Sequence, residues 1–287
     1  MAAELEPLPP TIAWEAFWEQ QGGLKPGQHV SVFGPTGTGK TFTLIWFCEQ
    51  YSTHSILVVT KGADEIVERL VSERGWVLAT DVDQIFTAAG EPGSLLRRTW
   101  GDRWEGRKER PSQRVVFKPK VPAGSVRGRA EHLQSAVEAL IDRSYEFCAG
   151  HRSANLMVAI DETMYAAMEL DMGRPFVILW NEGRSMGLTL AAAMQRPAWI
   201  PKSSKSSPTY VVIFDTTEDD DAIEFARMLR VSPATLRSWL PQLPEHHHLL
   251  AATRGQAKQV YVSRVVIRKK QGADAESSSA KKGKEVA

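Results

Sequence analysis

The sequence predicts an α/β fold in which helices flank a central, mostly parallel sheet. Short runs rich in Val, Ile and Leu alternate with stretches whose apolar residues recur at helical spacing, as expected for a parallel sheet. One apolar run leads through a glycine-rich turn directly into an apolar helix, at residues 32–47. The chain has 287 residues and 43% hydrophobic content, which suffices for one large α/β domain or two small ones.

The strands are predicted from runs of β-branched and aliphatic residues. In order they are 29–33, 55–60, 114–118, 155–162, 188–195 and 209–216, with 247–253 and 260–267 closing the sheet as a hairpin around Arg254-Gly255. The helices are predicted from apolar residues on one face, most clearly at Leu133, Val137 and Leu140. They are 41–51, 63–73, 129–148, 176–186, 219–229 and 233–240.

The glycine-rich turn matches G-x-x-x-x-G-K-[ST], the phosphate-binding P-loop, at every fixed position. Glycines there allow positive φ and close approach, so that successive backbone N–H groups point at phosphate oxygens. Lys40 is expected to reach the β- and γ-phosphates, and the Thr41 hydroxyl to bind Mg²⁺. A plain hairpin turn is the alternative, but the strand before the loop and the apolar helix after it favour phosphate binding. The nucleotide-binding candidates are Gly34, Pro35, Thr36, Gly37, Thr38, Gly39, Lys40 and Thr41.

Two acids follow another buried strand, in a Walker B pattern. Asp161 and Glu162 come directly after the apolar run 156–160. We expect Asp161 to bind Mg²⁺, directly or through water, and Glu162 to orient or deprotonate the attacking water. The alternative is that the acids simply begin a turn. With the P-loop, they predict a RecA-like P-loop NTPase that hydrolyses its nucleotide, because an acid after the magnesium-binding aspartate suits hydrolysis better than transfer to a small molecule.

Two further stretches do not match ligand sites. TKGAD at 60–64 has one residue too many for the guanine-recognition pattern and follows the wrong strand, so ATP with Mg²⁺ is expected. The consecutive histidines 246–248 point alternately on a strand, and no cysteine pair has zinc-ligand spacing, so zinc is not expected.

Composition and sequence patterns exclude secreted and membrane proteins. The net charge of +1 says nothing about partners, and the two cysteines, Cys48 and Cys148, suit a reducing cytoplasm. The acidic, proline-rich N-terminus does not read as a signal peptide, and no apolar run approaches the ~20 residues that cross a bilayer. We divide the chain into an N-terminal extension at 1–26, a P-loop ATPase domain at 27–268 and a disordered basic tail at 269–287.

The segment NEGRSMGLTLAAAMQRPAWIP, residues 181–201, resembles the FtsK–HerA superfamily of DNA-pumping ATPases. In those proteins a helix that carries an arginine leads into G-[IL]-x-L, a strand and a terminal Q-R-P. The residues that match in order and spacing are Arg184, Gly187, Leu188, Gln195, Arg196 and Pro197. Met194 departs from the threonine that usually precedes the glutamine. The resemblance covers roughly 27–267, although specific motifs cover a small part of it.

The resemblance implies roles for three polar residues. Gln195 would hydrogen-bond the γ-phosphate or the attacking water and report hydrolysis to the rest of the subunit. Arg184 resembles the arginine finger that enters a neighbouring subunit's site, where a guanidinium neutralises charge on the transferring phosphoryl group. Arg196 is the weaker finger candidate. A polar strand end and an exposed helix arginine are the plain alternatives for Gln195 and Arg184.

The resemblance also implies partners. Cell-division translocases carry membrane spans and a DNA-reading domain, and HerA-type proteins carry an additional barrel; we expect neither here. The motor domain alone is similar to the genome-packaging ATPases of membrane-containing icosahedral viruses, which push duplex DNA into a preformed capsid. We therefore expect a homo-oligomeric ring of six subunits, double-stranded DNA, capsid or viral-membrane vertex proteins, and a place in the host cytoplasm or at the packaging vertex.

A basic segment is the candidate DNA contact. Residues 97–120 hold nine Arg or Lys against three acids, with Trp100 and Trp104 between them, and Arg127 and Arg129 follow. Basic side chains on a loop suit sequence-independent phosphate contacts across 97–129. A solvated charged loop is the alternative. The basic tail would bind DNA, bind a capsid protein or have no such role.

Other functions remain open at this point. Another nucleic-acid ATPase, such as a helicase or a conjugative coupling protein, would share these motifs; a helicase would prefer single strands. A P-loop small-molecule kinase would ignore DNA and need a lid, and no arginine-rich lid is evident between the Walker B acids and Gln195. An assembly factor that binds ATP without turnover is the third alternative, against which Glu162 argues.

Overall fold

The computed structural model of the chain describes residues 5–50, 54–60, 65–86, 114–121, 125–150, 155–163, 165–197, 208–216, 218–253 and 259–266. Within these ranges nine strands form one sheet. The strands are β1 (Val30–Phe33), β2 (His54–Val58), β3 (Val77–Ala79), β4 (Arg114–Phe117), β5 (Leu156–Ile160), β6 (Thr189–Met194), β7 (Tyr210–Phe214), β8 (His248–Ala252) and β9 (Val260–Ser263).

The sheet is parallel from β3 to β7 and ends in an antiparallel pair. Its order is β3-β4-β2-β5-β6-β1-β7-β8-β9. β8 runs antiparallel to β7, and β9 antiparallel to β8. The predicted α/β class, the mostly parallel sheet and the closing hairpin are therefore confirmed, while the expected turn at Arg254-Gly255 lies outside the described residues.

Helices cover both faces of the sheet. They are α1 (Trp14–Gln20), α2 (Lys40–Gln50), α3 (Glu65–Arg74), α4 (Asp83–Phe86), α5 (Val126–Gly150), α6 (Gly173–Glu182), α7 (Asp219–Leu229) and α8 (Pro233–Trp239). Short turns of other types occupy Tyr165–Glu169, Gly183–Met186 and Leu240–Gln242. The sequence predicted six of the helices and missed α1, α4 and the short strand β3, which are too brief to show a clear periodicity.

Apart from the edge strand β3, the parallel strands are buried on both faces, which explains why they read as continuous apolar runs. In β2, Ile56 and Val58 pack into a cluster with α5, α6 and α7, whereas Leu57 between them packs with α1, α2 and α3. Because successive side chains of a strand point to opposite faces, one strand joins both clusters. The two clusters hold the sheet rigid between helices, so the strand ends are fixed points for a site.

The described part of the predicted N-terminal extension packs into the domain. Trp14 is 1% exposed, and its ring centroid lies 5.2 Å from that of Trp46 and 5.1 Å from that of His248. Thr11 forms a parallel bridge with Val262 of β9, the last strand at that edge of the sheet. Residues 5–20 therefore cover that sheet edge and complete one of the two apolar clusters.

We predict that Trp14→Ala lowers the free energy of unfolding by about 3–5 kcal/mol, because a buried aromatic ring is replaced by a cavity. Leu5→Ala is the matched control, since Leu5 is 67% exposed and should change stability little. Urea denaturation of both variants measures the difference. Equal stabilities would show that α1 does not contribute to the core.

Buried histidines make the fold sensitive to acid. Burial lowers the pKa of His248 to about 3, and burial likewise lowers the pKa values of His29 and His54 to about 4. Unfolded histidines take up protons near pH 6.5, so between about pH 6.5 and 4 the unfolded chain binds more protons than the folded one. Stability therefore falls as the pH is lowered through this window.

We predict a loss of up to about 1.4 kcal/mol per pH unit for each of these histidines below pH 6.5. His248→Phe keeps an aromatic ring between Trp14 and Phe214 but cannot take up a proton. Urea unfolding at pH 7 and pH 5 should show a smaller loss for this variant than for the wild type. The same loss in both proteins would contradict the assignment.

Candidate active site

The phosphate loop joins the end of β1 to the start of α2. Gly37 and Gly39 have φ of +86° and +108°, values that residues with a side chain rarely adopt. A Cβ at Gly34 would lie 2.6 Å from the Phe214 Cβ and 2.9 Å from the Thr38 Oγ1. Glycine at position 34 is therefore required by the close approach of the loop to β7.

The Lys40 ammonium group lies against the phosphate loop. It is the first residue of α2 and only 8% exposed, and its Nζ donates a hydrogen bond to the Pro35 carbonyl at 2.6 Å. This hydrogen bond keeps the ammonium group beside the backbone of the loop. A phosphate there would meet this charge and the N-terminal end of α2 together.

Thr41 and Asp161 meet although they lie 120 residues apart in the sequence. The Thr41 hydroxyl donates a hydrogen bond to the Asp161 Oδ2 at 2.9 Å, and Asp161 is 7% exposed. A hydroxyl and a carboxylate are both oxygen ligands of the kind that Mg²⁺ takes beside nucleotide phosphates. The pair therefore fits the predicted metal site.

Glu162 has an unusual backbone conformation. Its φ is +58°, in the left-handed region that glycine prefers, so the turn after β5 is strained there. The Thr163 hydroxyl donates a hydrogen bond to the Ile160 carbonyl at 3.1 Å and stabilises this turn. The half-buried Glu162 lines the same cavity as Asp161 and the phosphate loop.

Gln195 follows β6, which lies between β1 and β5. The Gly34 N–H donates a hydrogen bond to the Met194 carbonyl at 3.1 Å, so the start of the phosphate loop is attached to the end of β6. The sequence placed Gln195 at the tip of a strand beside the Walker B strand, and the structure has it there. Gln195 also lines the cavity.

One cavity of about 440 Å³ joins these residues at the carboxyl edge of the sheet. It contains the loop from Thr36 to Thr41 together with Asp161, Glu162 and Gln195. Sequence reasoning missed the other lining residues, because they carry no motif and most come from segments that only the fold brings together. They are Phe42, Ile66, Ala193, Phe214, His246, Arg264 and Val265.

The two candidate finger arginines lie outside this cavity and differ in their partners. The Arg196 Nε lies 3.3 Å from an oxygen of Asp221, which is 1% exposed, and its Nη2 lies 3.4 Å from Glu218. Burial raises the pKa of Asp221, and the Arg196 charge opposes that shift. Arg184 is exposed, and in the described part of the chain its guanidinium forms no ion pair.

Only part of the basic segment falls within the described residues. Residues 97–113 and 122–124 lie outside them. The Arg114 Nη2 donates a hydrogen bond to the Glu49 carbonyl at 2.6 Å, so Arg114 joins β4 to the end of α2. The Arg127 side chain is 90% exposed and pairs with Glu131 at 2.9 Å.

The domain boundaries and the tail at 269–287 stay predictions.

The fold and the loop geometry together define an α/β protein with the P-loop NTPase fold. No protein-family model and no curated protein sequence matches the chain. Among solved structures, the genome packaging NTPase B204 from Sulfolobus turreted icosahedral virus 2, in complex with sulfate, matches with a TM-score of 0.57 and 14% identity, over 85% of this chain and 100% of that chain. These similarities to viral packaging ATPases confirm the predicted fold.

Two further structures of B204 show the same likeness. The complex with AMP has a TM-score of 0.53 at 14% identity and covers 85% of this chain and 100% of that chain. A further structure, of B204 as the DNA-packaging ATPase from Sulfolobus turreted icosahedral virus, has a TM-score of 0.52 at 12% identity, over 85% of this chain and 100% of that chain.

None of the described helices is long and apolar enough to span a membrane.

We predict that Gly34→Ala weakens ATP binding at least tenfold, about 1.4 kcal/mol, because the new Cβ forces the phosphate loop away from the packed Phe214 ring. Gly75→Ala is the matched control: Gly75 has φ of +68° and nothing within 4 Å of an added Cβ. Isothermal titration with ATP measures both. Equal affinities for the two variants would show that the contact with Phe214 does not shape the loop.

Proposed function

We propose that this chain hydrolyses ATP with Mg²⁺ and uses the energy to move double-stranded DNA into a viral capsid. The observation that carries the proposal is one cavity in which the phosphate loop meets Asp161, Glu162 and Gln195. A buried lysine, a hydroxyl beside a carboxylate and a second acid are the groups that nucleoside triphosphate hydrolysis requires.

Each of these groups has a distinct task in the proposed reaction. Lys40 and the loop N–H groups bind the phosphates, and Thr41 and Asp161 would hold Mg²⁺, which supplies charge neutralisation when bound. Glu162 orients the attacking water and accepts its proton, and its strained backbone is consistent with a fixed catalytic position. Gln195 hydrogen-bonds the γ-phosphate or that water.

The sheet order sets the direction in which ATP would lie. The strands that carry Glu162 and Gln195 are on one side of β1, and β7, β8 and β9 are on the other. With the γ-phosphate near the acids, the nucleoside extends toward the opposite side. The cavity is lined there by His246, Arg264 and Val265, which offer apolar and cationic surface to a base.

Arg184 suits a role in a neighbouring subunit and not in its own. It precedes β6, whereas Gln195 follows it, so the six residues of the strand, roughly 20 Å at 3.3 Å per residue, separate Arg184 from its own site. The ion pairs of Arg196 with α7 and the preceding loop favour Arg184 as the finger. A finger that acts between subunits needs head-to-tail contacts, which close into a ring; we propose six subunits.

The packaging role is supported by the likeness in fold to B204, and DNA contact by the basic segment 97–129. Within the described residues, the exposed basic side chains of that segment are Lys120 before α5 and Arg127 and Arg129 in its first turn. Capsid or viral-membrane vertex proteins are the proposed docking partners. A helicase or coupling protein would use the same ATP site, and a small-molecule kinase or a non-hydrolysing assembly factor would not respond to DNA.

The direct test is steady-state ATP hydrolysis by the purified chain, alone, with long double-stranded DNA and with single-stranded DNA, at two salt concentrations. We expect turnover to rise with duplex DNA and the rise to shrink at higher salt, because phosphate contacts are screened. Lys40→Ala is the control and should abolish turnover under every condition.

Three other results would contradict part of the proposal. Stimulation by single strands alone would favour a helicase. Turnover that ignores every nucleic acid would favour the kinase and overturn the DNA motor. ATP binding without turnover in the presence of Mg²⁺ and duplex DNA would favour an assembly factor.

A further inference from the structure

Contacts of its backbone hold the turn that carries Arg184 in place. It comprises Gly183–Met186, between α6 and β6. The Leu188 N–H donates a hydrogen bond to the Gly183 carbonyl at 2.9 Å, and a Cβ at Gly183 would meet the Leu188 side chain at 3.3 Å. The Arg184 side chain is exposed, while the backbone beneath it is packed.

Gly27, which is distant in the sequence, lies in close contact with the backbone of this turn. A Cβ at Gly27 would lie 2.5 Å from the Arg184 carbonyl oxygen and 3.2 Å from its Cα. Gly27 has φ of +75° and occupies the third position of the turn Lys25–Gln28, after a proline, as a type II turn requires. Both the conformation and the contact therefore require glycine.

The same short segment also fixes the elements on either side of the Arg184 turn. The Gly27 N–H donates a hydrogen bond to the Thr189 Oγ1 at 3.0 Å, and the His29 Nδ1 accepts one from the Leu190 N–H at 3.0 Å. Both bonds are buried and hold the start of β6. The His29 ring lies edge-on against Trp180 of α6, with centroids 5.0 Å apart.

We propose that Gly27 is a positioning residue that, with the Thr189 hydroxyl and His29, sets where Arg184 is presented to the neighbouring subunit's γ-phosphate. This inference rests on the proposed function, because it needs Arg184 to act between subunits. The segment 27–29 continues directly into β1, whose other end is the phosphate loop. A subunit's own phosphate loop therefore follows one end of β1, and its finger turn contacts the segment that precedes the other end.

The physical reason is that a charge aids a transition state only at the right distance. A displacement of about 1 Å in a catalytic group can reduce a rate by about a hundredfold. A Cβ at Gly27 cannot coexist with the present position of the Arg184 carbonyl, so the turn must move. The phosphate loop lies at the other end of β1 and keeps its contacts.

The first test compares Gly27→Ala with Gly23→Ala in the full-length protein. Gly23 has the same φ of +75°, but nothing lies within 4 Å of an added Cβ. We expect Gly27→Ala to reduce DNA-stimulated ATP turnover by about a hundredfold while its dissociation constant for ATP stays within about twofold of wild type. Gly23→Ala should retain turnover. Equal turnover for the two variants would overturn the inference.

Mixed assemblies separate positioning from general damage. A Gly27→Ala subunit keeps an intact site but misplaces its finger, and a Glu162→Gln subunit keeps its finger but has an inactive site. Mixing them should restore turnover, as should mixing Arg184→Ala with Glu162→Gln. Gly27→Ala mixed with Arg184→Ala should restore nothing, since both lack a working finger.

These mixtures also tell the inference apart from the proposed function. If Arg184→Ala with Glu162→Gln recovers no turnover, the finger between subunits is wrong, and the inference falls with it. If that pair recovers and Gly27→Ala with Glu162→Gln does not, the inference alone is overturned.

A second pair of variants avoids any backbone strain. Thr189→Val removes the hydroxyl that accepts from Gly27 and keeps the shape, and Thr189→Ser keeps the hydroxyl. We expect the Val variant to lose turnover with unchanged ATP affinity and the Ser variant to retain it. Full turnover in Thr189→Val would contradict the role of this hydrogen bond.

Discussion

The parallel register of β5, β6 and β1 is the constraint on which the candidate site depends. Ile160 pairs with Ala192, and Phe33 pairs with Met194, so Glu162, Gln195 and Gly34 follow neighbouring strands at the same edge. Shifting one strand by two residues would keep its buried face but separate the acids from the phosphate loop by roughly 7 Å, at 3.3 Å per residue. The two apolar clusters stabilise the register, and the register determines which polar groups meet.

At the same edge of the sheet lie buried charges and a strained backbone, both of which lower the stability of the folded chain. Lys40 and Asp161 are almost fully buried, and the Glu162 backbone is in the left-handed region. The strained backbone costs of order 1–3 kcal/mol, and a buried charge carries a separate desolvation cost that its hydrogen-bond partners offset. Here the packing comes from strands buried on both faces, and from Phe214, whose contact with Gly34 shapes the loop. The rigidity of the sheet is therefore what keeps a charged, strained site assembled.

Much of this arrangement could be predicted from the sequence, because it is local. The loop motif, the acids after an apolar run and the glutamine after another are each encoded within a few residues. The Arg114 hydrogen bond to Glu49, the ion pair of Arg196 with Asp221 and the approach of Gly27 to Arg184 are not. They join segments far apart in the chain, and no periodicity reveals them. Helix α1 was missed because seven residues show too little periodicity to separate from a loop.

In the proposed reaction, Glu162 activates water for ATP hydrolysis at this edge of the sheet. The most direct measurement is ATP binding and single-turnover hydrolysis by Glu162→Gln, which keeps the size of the side chain and removes the base. We predict unchanged ATP affinity and hydrolysis slowed by about 10²–10⁴-fold, the usual contribution of a general base. Wild-type turnover in Glu162→Gln would contradict it and move the catalytic role to another residue of the cavity.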